Sequence, residues 1–386
     1  MKNEKINVLL IDGFAKQYLP MAKAFRKLNC NVHTIVQSHL DVAYFSRYTS
    51  KKYLLKKSMQ NEENLKSFII GILKAEKIDI VISLTDFSSD LISRYKHVLS
   101  QYSYIAIPDF DIYNIARNKK LTLKTCEKIG VPFTKTYFDF SFSKIDMEMV
   151  EYPLVAKPIS SYGSIGFRVI KDINQFKRSF NYLKENIEEI LIQEYVPQTS
   201  IQYEASLFLD EEQNVKSAVL FTKNRWFPVD GGSSTLNITT YNSDIINHCT
   251  KLLKDIKWTG CADIDLIHDP RNNEVKVMEI NPRVSGSVKI VFLSGVNLAK
   301  QILDLYLGNI VTQYDNYKTN VRLRASHTDL LWFINSPQRF KSKPSWFSLK
   351  RTRDHIFDIL DPVPWFTFTL QSMLKYRKEM KLRRRK

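Results

Sequence analysis

The sequence lacks the features that would identify a membrane, secreted or disulfide-bonded protein. No uninterrupted apolar stretch among its 386 residues approaches the ~20 residues that a membrane-spanning helix needs. The apolar run near the N-terminus has no small-residue cleavage site of the kind that ends a secretory leader. The four cysteines lie far apart and form no CxxC pair, which favours reduced thiols over disulfides or a zinc site. We therefore expect a cytoplasmic protein.

The common nucleotide-binding and metalloprotease motifs are missing as well. Gly13 follows the first predicted strand, but no GxGxxG accompanies it, and no GxxxxGK[ST] phosphate loop is present. The seven histidines form no HExxH pattern. Any nucleotide must therefore be held by residues other than a dinucleotide-binding fingerprint or a P-loop.

The positive charge is unevenly distributed along the chain. The formal net charge is +17, which by itself suggests a polyanionic partner. Residues 311–386 alone contain 17 Lys and Arg against 6 Asp and Glu, a net of +11. The remaining body is only mildly basic, so its cations must be interpreted one at a time. No nucleic-acid-binding motif accompanies the charge, and nucleic acid is not an expected partner.

The pattern of apolar residues divides the chain into three parts. Residues 1–112 alternate between buried-strand patterns and helical spacings, which predicts a small doubly wound parallel αβ domain. Residues 113–310 begin with one predicted helix, from Ile115 to Ile129, and are rich in strands afterwards. Residues 311–386 form a basic extension that is rich in aromatic residues.

A lysine followed by small residues suggests an anion-binding segment. In KPISSYGSIGF, residues 157–167, Lys157 ends a buried strand, and serines and glycines precede the next strand. Small residues let backbone N–H groups approach an anion closely, and the lysine adds a point charge. The alternative is a Ser/Gly hairpin with a solvated lysine, and this segment alone does not separate the two interpretations.

A second candidate site lies on a predicted antiparallel hairpin. Strands 261–269 and 274–282 flank the turn PRNN. Side chains two residues apart point to the same face of a strand, so each strand offers one pair of oxygen-bearing side chains. The four residues are Asp263, Asp265, Glu279 and Asn281. Hard oxygen ligands suit Mg²⁺, and the alternative is a polar face in contact with solvent.

Arg283 follows the hairpin by two residues. A guanidinium group beside a metal site is suited to bind phosphate or carboxylate through paired hydrogen bonds. The alternative is a surface arginine at the end of a strand.

These features together resemble the ATP-grasp superfamily. The strings LVAKPISSYGSIGFRVI, LIQEYVPQTSIQYEASLFLD and DIDLIHDPRNNEVKVMEINPR stand in the family's order and spacing. The likeness covers roughly residues 5–310 and is greatest to the carbamoyl-phosphate-synthase-like and carboxylate–amine ligase group. It implies a fold in which the αβ domain precedes a two-lobed ATP-grasp domain, with lobes at about 113–195 and 196–310.

The resemblance implies roles for individual residues on the nucleotide side. Lys119, or its neighbour Lys120, looks like the first phosphate-contacting lysine, and Lys157 looks like the second. Family members usually carry Asp before the first lysine, where this chain has Asn118. The loop that closes over the phosphates is implied at Ser160, Ser161, Gly163, Ser164 and Gly166. The hinge that reads adenine and ribose is implied at Glu194, Tyr195 and Val196.

The resemblance also implies a metal and substrate side. Asp265, in place of the more usual Glu, Glu279 and Asn281 look like Mg²⁺ ligands, for two ions, with Mn²⁺ as an alternative. Glu204 sits near nucleotide or substrate in this family. Arg283 looks like the arginine that contacts the transferred phosphate and, with Lys157, is implied to be catalytic. The segment 223–237 resembles a substrate-side loop, in which Lys223 and Arg225 are candidate anion contacts, together with Arg283.

The resemblance implies an ATP-dependent ligase. The enzyme would phosphorylate a carboxylate to an acyl phosphate and join it to an amine, with small-molecule acid and amine as substrates and a homodimer as the assembly. Two alternatives stay open at this point. One is a carbamoyl-phosphate-synthase-like phosphorylation of a small acid, and the other is a non-catalytic, membrane-associated ATP-binding protein.

The C-terminal extension allows two interpretations. The segment from Val321 to Ile334 predicts a strand followed by a helix, and DPVPWF (361–366) predicts a turn because it contains two prolines. From Phe366 onwards a basic amphipathic helix would place the protein at the inner face of a membrane. The alternative is a helix docked on the body, followed by a solvated basic end.

Overall fold

The chain is described by a computed structural model. The described residues are 5–56, 61–140, 148–159, 168–185, 190–197, 201–229 and 232–384.

A five-stranded parallel sheet forms the N-terminal part of the protein. Its strands are β1 (Asn7–Leu10), β2 (Asn31–Val36), β3 (Lys51–Leu54), β4 (Ile80–Ile82) and β5 (Tyr104–Ile105), in the order β3-β2-β1-β4-β5. The helices of this part are α1 (Tyr18–Lys27), α2 (Glu62–Glu76), α3 (Asp86–Arg94) and α4 (Lys96–Leu99). All four strand pairs are parallel, so the predicted doubly wound αβ arrangement is confirmed. The strand order changes direction between β1 and β4, where ligands bind in open parallel sheets.

The predicted helix from Ile115 to Ile129 is in fact two helices, α5 (Phe110–Arg117) and α6 (Lys119–Ile129). Asn118 between them has an extended backbone, and its side chain accepts a hydrogen bond from the backbone N–H of Leu121. The prediction of one helix was wrong because an asparagine cap competes with the continuous helical pattern. The break places Lys119 in the first turn of α6 and ends this helix at Gly130, which is left-handed.

A small antiparallel sheet follows. Its strands are β6 (Thr136–Tyr137), β7 (Leu154–Pro158), β8 (Arg168–Ile170) and β9 (Ile190–Glu194), in the order β6-β9-β7-β8. Helix α7 (Ile173–Glu185) follows β8 in the chain. Leu154, Ala156 and Phe176 belong to a separate small core beside this sheet. Lys157 therefore lies near the end of β7, as the sequence predicts.

A seven-stranded sheet forms the largest layer, in the order β14-β13-β10-β11-β12-β15-β16. Its strands are β10 (Gln202–Leu209), β11 (Val215–Phe227), β12 (Ser233–Thr240), β13 (Gly260–Asp269), β14 (Glu274–Asn281), β15 (Arg322–Arg324) and β16 (Thr352–Asp354). The helices α8 (Ser243–Asp255), α9 (Lys289–Ser294), α10 (Leu298–Tyr306) and α11 (Ser326–Asn335) accompany it. The predicted hairpin of β13 and β14 is confirmed, with Asp265 opposite Glu279 and Asp263 opposite Asn281.

The segment 223–237 is not a loop over most of its length. β11 runs to Phe227 and β12 begins at Ser233, and the two strands are antiparallel neighbours. The long alternating stretch pairs on both sides, with β10 and with β15, and this pairing overrides the glycines and proline that indicate a loop.

The C-terminal extension is built into the body. β15 and β16 add to the large sheet, which confirms the predicted strand and helix between Val321 and Ile334. Helix α12 (Val363–Arg384) begins inside DPVPWF, so the predicted turn there was wrong. A helix tolerates proline in its first turn, where the missing N–H has no intrahelical partner.

The first turns of α12 dock on the body. Trp365 and Phe368 pack against the hydrophobic core, whereas Phe366, Leu370 and Met373 are exposed. The amphipathic membrane helix that the sequence predicts from Phe366 onwards stays a prediction, because the side chains from Leu374 onwards lie outside the described part of the chain. Among the described residues, no helix combines the length and apolar character that crossing a bilayer requires.

The segment before α12 is tied to the N-terminal part by buried polar contacts. Asp361 accepts a hydrogen bond from the Ser46 hydroxyl at 2.6 Å and one from the Arg47 backbone N–H at 3.2 Å. Asp358 accepts one from Tyr48 at 3.0 Å. The extension therefore fastens the parallel sheet to the large sheet.

We expect Asp361→Ala to lower the free energy of unfolding by about 1–3 kcal/mol, because it leaves two donors without their acceptor. Urea unfolding followed by circular dichroism measures this change. Glu212→Ala, which removes an exposed acidic residue, serves as the control and should change stability by less than about 0.5 kcal/mol. Equal stability of the two variants would show that the contact does not fasten the extension.

Candidate functional site

A cleft of about 460 Å³ lies where the parallel sheet faces the large sheet and the ends of α6 and β7. Lys16 and Gln17 follow β1, and Thr85 and Asp86 follow β4, so one wall is the switch point of the parallel sheet. The opposite wall consists of residues from β10, β11, β13 and β14. The cleft thus combines parts of the chain that are distant in sequence.

Three carboxylates lie side by side across adjacent strands on the floor of the cleft. Asp265 on β13 is in register with Glu204 on β10 and with Glu279 on β14. We call Glu204, Asp265 and Glu279 the acidic row. Burial raises the pKa of Asp265 to about 6, and its two neighbours add to the effect while Lys223 opposes it. Three carboxylates at this spacing are stable only if cations compensate them.

Lysines from three elements supply that compensation. Lys223 on β11 forms ion pairs with Asp265 at 2.7 Å and with Glu204 at 3.0 Å. Lys119 at the start of α6 pairs with Glu279 at 3.2 Å. Burial alone would raise the pKa of Glu279, but Lys119 and then Lys157 lower it below its usual value. Glu279 is therefore a carboxylate anion that faces two lysines.

Burial strongly affects Lys157, a second lysine that faces Glu279. Desolvation lowers its pKa to about 8, with Glu279 opposing and Lys119 adding to the shift. A buried ammonium of this kind gains more from a bound anion than a solvated one does, since its charge has lost its water.

Arg283 links the acidic side of the cleft to the parallel sheet. Its Nε lies 3.0 Å from Asp86 Oδ1, and its Nη2 donates to Asn281 Oδ1 at 3.2 Å. Asp86 is the first residue of α3, so this ion pair joins the carboxyl end of β4 to the end of β14. The guanidinium group is thereby held in one orientation at the cleft.

The donor set fits a hard divalent cation. Asp265, Glu279 and Asn281 all line the cleft and offer oxygen atoms, and Mg²⁺ typically takes one or two carboxylates together with substrate phosphates. Asp263 lies behind them with 1% exposure, and its Oδ1 has no hydrogen-bond partner among the described residues. No group of three or more His, Cys, Asp or Glu side chains in the described part of the chain forms a complete metal site. Phosphate oxygens would have to complete the coordination.

The structure brings eight of the sequence-predicted site residues to the cleft. These are Lys119, Lys157, Glu204, Lys223, Asp265, Glu279, Asn281 and Arg283. Lys120 does not line it. The predicted phosphate loop, Ser160, Ser161, Gly163, Ser164 and Gly166, lies outside the described residues.

Glu194, predicted to bind the ribose, has other partners in the structure. Glu194 accepts a hydrogen bond from Lys276 at 2.9 Å and pairs with Arg271, so its carboxylate belongs to a separate ion-pair network. The predicted adenine contacts of Glu194, Tyr195 and Val196 stay predictions, since none of the three lines this cleft.

Arg225 lies beyond the cleft wall. It is 4% exposed, pairs with Asp329 at 3.3 Å and lies over the ring of Trp332. Asp329 also accepts from Thr235 and pairs with Arg324. Arg225 therefore joins β11 to α11 and does not line the cleft, and its predicted substrate contact stays a prediction.

The sequence did not predict the cleft residues that come from the parallel sheet. Lys16, Gln17, Thr85 and Asp86 carry no motif of their own. Their signal is positional, because each follows a strand at the switch point of a doubly wound sheet. Trp226 lies in the predicted substrate-side segment 223–237 without having been singled out. Ser285 was missed because only the tertiary structure brings it to the cleft.

A family model and several curated proteins match parts of the chain. An ATP-grasp domain model matches residues 116–287. D-aspartate ligase of Enterococcus faecium is 27% identical over 259 residues, which are 62% of each chain. D-alanine–D-alanine ligase of Wolbachia pipientis is 26% identical over 141 residues, 34% of this chain and 44% of the relative. The chain thus spans less than two thirds of the length of these curated relatives.

A solved structure shows the same fold at low sequence identity. The biotin carboxylase domain of the Hydrogenobacter thermophilus 2-oxoglutarate carboxylase, solved with MgADP and bicarbonate, superposes with a TM-score of 0.68. Its identity is 12%, and the match covers 83% of this chain and 74% of that one. The paired lysines and carboxylates of the cleft lie within residues 116–287, the part of the chain that matches an ATP-grasp domain.

Proposed function

We propose that this protein is an ATP-dependent ligase that activates a carboxylate as an acyl phosphate and joins it to an amine. The observation that carries the proposal is the facing arrangement of Lys119 and Lys157 with Glu279 and Asp265 in one cleft. The relatives named D-aspartate ligase and D-alanine–D-alanine ligase support an amino acid as the acid substrate.

The reaction would proceed in two balanced steps. A carboxylate oxygen attacks the γ-phosphorus of ATP, the bond to the β-phosphate oxygen breaks, and ADP leaves. The amine nitrogen then attacks the carbonyl carbon, inorganic phosphate leaves with the electron pair of the C–O bond, and the nitrogen loses a proton. Phosphoryl transfer needs charge neutralisation and alignment more than covalent participation by the protein.

The residues of the cleft match these needs. Lys119 and Lys157 would bind phosphate oxygens, and Asp265, Glu279 and Asn281 would hold Mg²⁺, which neutralises phosphate charge when bound. Arg283, oriented by Asp86, would bind the transferred phosphoryl group or the substrate carboxylate. The paired lysines and carboxylates already compensate each other, so binding exchanges one set of ion pairs for another.

We expect Lys157→Ala and Glu279→Ala each to lower substrate-dependent ADP release by at least ~100-fold, because each removes charge compensation at the phosphates. A coupled ADP assay with pools of amino acids and amines measures this, and mass spectrometry distinguishes an amide product from an acyl phosphate. Lys27→Ala, at an exposed position of α1, is the control. The ligase proposal is wrong if both cleft variants release ADP as the wild type does.

The two adjacent lysines of α6 should behave differently. Lys119 is buried against Glu279 and lines the cleft, whereas Lys120 points elsewhere because successive helical residues lie ~100° apart. We expect Lys119→Ala to lower kcat/KM for ATP by ~10–100-fold and Lys120→Ala to lower it less than about twofold. The opposite order would place Lys120 at the phosphates.

Nucleotide affinity should fall at alkaline pH. The pKa of Lys157 is lowered to about 8, so its ammonium is present below that pH and is lost as the pH rises through it. We expect the Kd for ADP to weaken about tenfold between pH 7 and pH 9. In Lys157→Arg the guanidinium group stays charged, and calorimetry should show a much flatter profile. Parallel profiles for the two proteins would contradict the role of Lys157.

A further inference from the structure

Lys16 lines the cleft and has no role in the proposed binding of ATP and Mg²⁺. Within the described part of the chain, Lys119, Lys223 and Arg283 each form an ion pair with a carboxylate, whereas Lys16 forms none within 4.0 Å. Lys157 also forms none there, but it faces Glu279 and Lys119 at the phosphate end. Lys16 instead lies near Glu204, Arg283 and Lys223. Lys16 and Lys157 thus sit in different charge environments of one cleft.

The backbone of Gly286 makes room for the end of the Lys16 side chain. A Cβ atom at position 286 would lie 2.5 Å from Cε of Lys16 and 3.1 Å from its Nζ. Any residue other than glycine would therefore displace the ammonium group. This fit is an observation independent of charge, and it shows that the ammonium group has a defined place in the cleft wall.

Behind the Lys16 side chain, the C-terminal extension contributes a neutral histidine. His355 is 3% exposed and hydrogen-bonds to the backbone of Gly286, and its Nε2 has no partner among the described residues. Burial, with the neighbouring lysines 16 and 289, holds the pKa of His355 well below its usual value. A neutral histidine adds no charge beside Lys16. Glu204, the carboxylate near Lys16, is already paired with Lys223 at 3.0 Å, which favours a further anion from the cleft side.

We infer that Lys16 binds a second anionic group of the acid substrate, so that the acid is a dicarboxylate rather than a monocarboxylate. The inference rests on the proposed function, in which the first carboxylate is activated beside Arg283. Lys16 and Arg283 both line the cleft and lie near enough for their charges to interact, so one small molecule with two carboxylates can contact both cations. A charged pair formed in a partly desolvated site discriminates strongly against a substrate that lacks the charge.

Calorimetry with Mg²⁺ and a non-hydrolysable ATP analogue, without any amine, tests the inference. The probes are the L and D forms of aspartate and glutamate, with succinate, and as monocarboxylates L- and D-alanine and propionate. We expect the wild type to bind at least one dicarboxylate tenfold or more tightly than its matched monocarboxylate. Lys16→Ala should reduce this preference to within about twofold, and Lys16→Arg should retain most of it.

A glycine pair provides the matched control. Gly286→Ala should weaken dicarboxylate binding as Lys16→Ala does, because the new methyl group displaces the ammonium, and moving the flexible end of a lysine does not threaten the fold. Gly71→Ala, in α2 with open space around the added Cβ, should leave binding unchanged. Equal binding of dicarboxylates by wild type and Lys16→Ala overturns the inference, as does a wild type that shows no preference for dicarboxylates.

The outcome is separable from that of the proposed function. Binding that depends on Lys16, together with absence of ADP release with every amine, would refute the ligase while the anion site stands. ADP release that is equal for monocarboxylates and dicarboxylates, and unchanged in Lys16→Ala, would leave the ligase and refute the anion site. An effect of Lys16→Ala that appears only when an amine carrying a carboxylate is added would assign Lys16 to the amine substrate, and would overturn the inference as stated.

Discussion

The confinement of several carboxylates and cations to one partly desolvated cleft is the constraint on which this structure depends. Glu204, Asp265 and Glu279 lie on adjacent strands, and their mutual repulsion is offset by Lys223 and Lys119. Removal of one partner from such a set leaves an uncompensated charge in a poorly hydrated site. The lysine that bridges two carboxylates keeps a raised pKa, whereas desolvation lowers the pKa of Lys157. Among the described residues, most carboxylates of the cleft are thus compensated by cations of the cleft itself.

The cleft also requires two separate sheets to be held together. The ion pair of Arg283 with Asp86 crosses between them on the ligand side. On the other side the C-terminal extension adds β15 and β16 to the large sheet and makes buried contacts through Asp361 to the parallel sheet. The surplus of positive charge in the extension therefore belongs to a segment whose first half is structural. The charge of the extension is separate from the cleft, whose cations are a few residues of the body.

The parts of the fold that the sequence predicts well are those with local, regular patterns. Alternation with a period of two identifies the hairpin of β13 and β14, and the opposition of Asp265 and Glu279 follows from it. The parallel αβ arrangement follows from buried-strand patterns that alternate with helices. The single residue Asn118 was enough to divide one predicted helix into two, because a side-chain cap is a local competitor that periodicity does not register. The sequence did not predict the full length of β11 and β12, because pairing with neighbouring strands rather than local residue preference stabilises them.

The sequence by itself determined which residue types meet in the cleft, because Lys157, Asp265, Glu279, Asn281 and Arg283 stand in recognisable order and spacing. Only the tertiary structure decided which charges meet. It turned Lys119 rather than Lys120 into the cleft, committed Arg225 and Glu194 to other ion pairs, and brought Lys16 over Gly286. These outcomes depend on helix rotation, on sheet neighbours and on contacts between residues up to ~270 positions apart in the chain. The spacing of residues along a sequence does not predict these contacts, because ion pairing depends on distance in space.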